Sequence, residues 1–77
     1  MSAALTDRQV LTITRAVVLL SQFGAALSDH EQELVEAVGR RFKRQGRDAS
    51  VTANEWPVIE ESLGAMEARR ADLGRAG

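Results

Sequence analysis

Residues 27–31 read LSDHE, and the same order of residue types stands at 5–9 as LTDRQ and at 51–55 as VTANE. In each, an apolar residue precedes Ser or Thr, and Gln or Glu follows three positions after the hydroxyl. This is the pattern of a capping box. The hydroxyl of Thr6, Ser28 or Thr52 accepts from the otherwise unpaired amide three residues on, while Gln9, Glu31 or Glu55 reaches back to the amide of the capping residue. Leu5, Leu27 and Val51 stand where an apolar side chain packs beneath a first turn, with Val10 and Trp56 as staple partners for the first and third. Three helix starts in 77 residues, with no stretch alternating at a period of two, predict an all-α fold. The expected architecture is a single small three-helix domain over 1–77 with short connections. Its helices fall near 7–24, 29–44 and 53–70, followed by a frayed tail over 71–77.

On a helical wheel the first helix presents Val10, Ile13, Ala16, Val17, Leu20 and Phe23 as one broad apolar face. Leu11 and Val18 form a second stripe, and Leu19 lies apart from both. A helix with apolar residues on more than one side is either sandwiched centrally or used in a contact, so Leu11, Val18 and Leu19 are candidate contact residues. The second helix buries Leu34, Val35, Val38 and Phe42. Its acids, Asp29, Glu31, Glu33 and Glu36, precede its bases, Arg40, Arg41, Lys43 and Arg44, an order that suits the helix dipole at both ends. Glu36 and Arg40 are spaced to pair within the helix, and Gly39 allows another helix to approach closely. Gly46 suits a left-handed helix end. The third helix starts after Thr52 or after Asn54. The second choice sets Pro57 within the first turn, where its missing amide costs nothing.

Val51 to Gly64, VTANEWPVIEESLG, resembles the second half of an EF-hand, with Thr52 at loop position 9 and Glu55 at position 12. The resemblance implies an EF-like helix-loop-helix in the C-terminal half, with Arg44 at loop position 1, Gly46 at 3, Asp48 at 5 and Ala49 at 6. That pattern is degenerate: a cation stands where the first calcium carboxylate belongs, position 3 has no side-chain ligand and position 6 lacks its glycine. No metal and no cofactor are therefore expected.

Ten Lys or Arg against eleven Asp or Glu give a formal net charge of -1 and a pI near 5.7, without a global bias toward polyanions. There is no cysteine, so neither disulfides nor thiolate metal sites supplement a core that buries only about 60% of the unfolded surface in a chain of this size. No basic n-region precedes an apolar run, and Val10 to Leu20 is shorter than the roughly 20 residues of a membrane span. A cytoplasmic protein without membrane contact is expected.

Catalysis finds no constellation. His30 is the sole histidine, in a first helical turn beside acids. Glu60 and Glu61 are adjacent and do not share a helical face. The basic run Arg40 to Arg47, with Arg40, Arg41, Lys43, Arg44 and Arg47 as candidate contacts, suits an acidic protein surface or nucleic-acid phosphate. The expected function is that of a non-enzymatic helical interaction protein, a regulator, inhibitor or accessory subunit. It would bind a protein partner through an apolar helix face and a basic patch, with homo-oligomerisation as a further expectation. A dimeric helical nucleic-acid-binding protein is the alternative.

Overall fold

The computed structural model describes residues 4–75, and among these the order is α1 (Asp7–Phe23), a short 3-10 turn (Gly24–Ala26), α2 (Asp29–Gln45), a second 3-10 turn (Gly46–Asp48) and α3 (Glu55–Arg75). No strand occurs among the described residues, as expected of the all-α class.

All three boxes close as the local chemistry requires. The Gln9 amide donates to Thr6 Oγ1 at 3.1 Å and the Thr6 amide to Gln9 Oε1 at 2.9 Å. Ser28 and Glu31 repeat the exchange at 3.2 and 2.9 Å, and Thr52 and Glu55 at 3.3 and 2.9 Å. The third helix starts at Glu55 rather than at 53, residues 53 and 54 forming a turn instead. Pro57 supplies the reason: it has no amide to donate back to Ala53, so regular hydrogen bonding starts later. Thr52 still supplies the cap.

α1 packs against both other helices. Ile13, Ala16 and Leu19 from α1, Val35 and Val38 from α2, and Ile59 and Met66 from α3 form the buried centre, closed by Leu5, Leu27 and Ala49 from the connections. Val10, Leu20, Phe23, Leu34, Phe42, Val51 and Trp56 pack around it, partly buried. Both apolar residues of each expected staple thus lie in or against one core. This central position accounts for the inward residues of α1, Ile13, Ala16 and Leu19. The stretch Asp7–Ala26 is long and apolar enough to cross a membrane by length and composition, a wider window than Val10 to Leu20.

The connections are tied by hydrogen bonds rather than by bulk. Gln32 Nε2 donates to the carbonyls of Gly24 at 2.7 Å and Leu27 at 3.3 Å, fixing the first turn from within α2. Gly46 ends α2 with φ 61°, the positive range in which a side chain would be strained. Gly39 admits α1 closely: a Cβ there would meet Val17 Cγ2 at 2.8 Å. α3 runs well past the expected end at 70. It is continuous through Arg75, with residues 76 and 77 outside the described residues. Ala68, Arg69, Arg70, Ala71 and Leu73 are strong helix formers, and neither proline nor a capping motif interrupts them. From Glu67 to Gly74 every residue is exposed, with Arg69 and Leu73 across a shallow hollow from Phe23, Ala25 and Ala26, and the molecule measures 47 × 24 × 19 Å.

One polar group sits in the core without compensation. Ser62 is fully buried, and its Oγ has no hydrogen-bond partner among the described residues. By contrast, Thr12 and Thr14 donate to carbonyls of their own helix, those of Arg8 and Val10. A buried hydroxyl without a partner carries its desolvation cost unrelieved. Ser62→Ala is therefore expected to raise stability by about 1 kcal/mol, measured by urea denaturation; a comparable loss would show that the hydroxyl is satisfied in solution.

Candidate interaction surface

The basic run is divided by the fold into cations that hold the structure and cations that face solvent. Arg41 is half-buried, and its guanidinium spans the α2–α3 connection, meeting Glu55 Oε1 at 3.0 Å and Oε2 at 2.6 Å and the Ser50 carbonyl at 2.8 Å. Glu55 thereby caps α3 and receives a bidentate cation at once. Its carboxyl is held at about 2, against an ordinary 4.5, chiefly by the hydrogen bonds from Arg41 and secondly by the Thr52 amide. Arg47 is committed as well: its guanidinium donates to the Leu5 carbonyl at 3.1 Å and pairs with Asp7. The Leu5 amide returns a bond to the Arg47 carbonyl at 2.8 Å, pinning the segment before α1 to the α2–α3 connection. Arg41 is thus drawn into an internal tie, while Arg47, whose side chain stays 54% exposed, is tied to Leu5 and Asp7 at the surface, because acids and carbonyls distant in sequence are brought to both.

Arg40, Lys43 and Arg44 remain. All three are exposed and make no ion pair among the described residues. The Glu36–Arg40 pair suggested by spacing does not close.

The apolar candidates divide too. Leu11 and Val18 are 55% and 57% exposed, whereas Leu19 is only 7% exposed and belongs to the core. Its isolated position on the wheel points toward the α1–α3 side, where Arg15 pairs with Glu67 at 3.9 Å. Val17, expected in the core, is 40% exposed: it rests over Gly39, which has no side chain to cover it. The result is a shallow apolar hollow lined by Thr14, Val17, Val18, Gly39, Phe42 and Lys43. A neighbouring hollow adds Leu20, Glu36 and Arg40. Thr14 gives its hydroxyl to the Val10 carbonyl at 2.8 Å, and Ser21 gives its own to Val18 at 2.8 Å. Those inward bonds make the outer face of α1 more apolar than its composition suggests. Gly39 was legible as a point of close helix approach, whereas Val17 was expected in the core and not at the surface.

Glu55, in the position that ends an EF-hand loop, has both oxygens on Arg41. His30, Glu60 and Glu61 are exposed on separate parts of the surface, and no group of three metal-ligating side chains occurs among the described residues. Comparison with protein-family models, with curated proteins and with solved structures found no match.

Two outcomes check this division. Leu19→Ala should cost about 2–4 kcal/mol in denaturant unfolding, as for a buried leucine, while Leu11→Ala and Val18→Ala should stay within about 0.5 kcal/mol; equal losses would refute it. Because the Glu55 pKa is lowered in the folded state, its contribution is complete above about pH 4.5 and is lost as the pH falls toward about 2. Glu55→Gln should then be less stable by about 1–2 kcal/mol at neutral pH, the gap to wild type closing through that acid window. A gap independent of pH would contradict the ion pair.

Proposed function

We propose that this chain is a small, non-enzymatic interaction protein of the cytoplasm, a regulator, inhibitor or accessory subunit. In this reading it acts by covering or orienting a protein partner through the outer face of α1 and the adjoining cations of α2. The observation that carries the reading is the juxtaposition of Val17 and Val18, exposed on the same helix as Leu11, with Arg40 and Lys43 on the rim of the same hollows. Apolar area supplies affinity once water is displaced. Unpaired cations beside it select a partner carrying acids and speed its encounter. The inward hydroxyls of Thr14 and Ser21 support the same use, because they leave few polar groups to be stripped of water on contact.

The basic group Arg40, Lys43 and Arg44 also supports a second reading, phosphate contact with nucleic acid. With Arg41 and Arg47 engaged within the chain, that cluster is smaller than the sequence suggests. Glu33 and Glu36 flank it on the same helix, and repulsion from these acids opposes a polyanion. A protein surface is favoured for that reason.

The test places a photo-crosslinking residue at Val18, at Lys43, or at exposed Glu61 as a control, in the cells that make the protein. The reading expects crosslinks to protein from Val18 and Lys43, and few from Glu61. Equal yields at all three positions would count against it. Nucleic acid captured at Lys43, together with salt-sensitive association of the purified protein with random duplex DNA, would move the assignment to the second reading.

A further inference from the structure

From the charge and the hydrogen bonding of the outer face of α1 we infer its occupant: a helix of a partner protein whose apolar stripe is bordered on both sides by Asp or Glu. The inference rests on reading that face as a contact surface, and it names the chemistry that fits. Thr14 and Val18 stand on the crest of the face, since both line a hollow on the α2 side and another on the α3 side. Lys43 borders the first, with Arg40 in the hollow adjoining it. Arg15 and Arg70 border the second. Two acids lie among these cations, Glu36 in the hollow with Leu20 and Glu67 beside Arg15 at 3.9 Å.

Four cations against two acids leave this face at +2, in a chain whose formal net charge is -1. The excess is therefore local. Arg40, Lys43 and Arg70 make no ion pair among the described residues. A second copy of the same face would oppose like charges. Acids on either side of an apolar stripe instead meet cations on either side of Val18.

The face also requires a segment whose backbone is already hydrogen-bonded. The hydroxyl hydrogens of Thr14 and Ser21 are spent on the carbonyls of Val10 and Val18, and Val17, Val18 and Phe42 have no polar side-chain atom to offer. An extended segment laid across them would lose water from its own carbonyls without a donor in return. No strand edge exists among the described residues to supply one. A helix satisfies its amides and carbonyls internally and presents side chains alone. Leu11 and Val18, 55% and 57% exposed, lie about two turns apart on α1, a spacing that a partner stripe at i, i+3 and i+7 matches.

The experiment is an in vitro selection with the purified full chain against a library of helical peptides of roughly 20 residues. Each peptide carries a fixed stripe of Leu and Val, and the positions bordering that stripe on both sides are varied among Glu, Gln and Lys. The expected result is enrichment of Glu over Lys on both borders, by at least about fivefold. Arg40→Glu combined with Lys43→Glu should remove or reverse the preference on one border only. Val18→Glu should weaken binding of the enriched peptides at least about tenfold. All three positions are exposed, and circular dichroism confirms that each variant folds. Enrichment indifferent to charge, enrichment of Lys, or no enrichment at all would overturn the inference. So would binding unchanged by Val18→Glu, which would place the peptide elsewhere on the molecule. The broader reading is judged separately by the crosslinks from Val18 and Lys43: protein captured there, without an acidic preference in the selection, would mean a contact surface with a different occupant.

Discussion

The ion pair between Arg41 and Glu55 is the constraint on which the rest of the arrangement turns. It joins the last turns of α2 to the first residue of α3 across a connection that holds little apolar mass. Because Glu55 also receives the Thr52 amide, one carboxylate sets both where α3 begins and the height at which α3 meets α2. An exposed ion pair contributes little. This one is bidentate, with the glutamate side chain only 18% exposed, and it converts a chain reversal into a fixed joint. With the joint fixed, Ile59, Ser62 and Met66 are brought onto α1, and the core closes.

The same pair shapes the surface by subtraction. A run that reads as five clustered cations keeps three unpaired among the described residues, since Arg41 goes to Glu55 and the still exposed Arg47 to Leu5 and Asp7. What is left is mixed in sign along α2, acids in the first half and bases in the second. α1 provides the complementary apolar part. Its side chains serve two neighbours on the inside and still leave Leu11, Val17 and Val18 outside, in a chain too small to cover every face of its own central helix.

The helix starts were legible in the sequence because a capping box is a local object, contained within four residues. The core positions Ile13, Ala16, Val35 and Val38 were legible from periodicity for a similar reason. What could not be read were destinations set by residues far away. The fates of Arg41 and Arg47 depend on acids and carbonyls brought in by the fold. The wheel does not say on which side of α1 each neighbour lies, and so Leu19 and Val17 exchanged roles. The length of α3 escaped the apolar pattern because its last turns persist on intrinsic propensity, with no buried face to mark them. Of the exposed face, the outward positions of Leu11 and Val18 and the exposure of Arg40, Lys43 and Arg44 were readable. The pairing of Val17 with Gly39, which makes the hollow, was visible only once α1 and α2 were placed together.

The joint itself can be observed at a single atom. Following the side-chain carboxyl carbon of Glu55 by NMR, from neutral pH down to the point where the folded amide spectrum disappears, tests the account most directly. A carboxylate held by Arg41 and the Thr52 amide should show no titration step near 4.5 and should begin to protonate only toward about 2. A full step near 4.5, with the amide spectrum still native, would mean that the guanidinium does not hold the carboxylate in solution and that α2 and α3 are joined by something else.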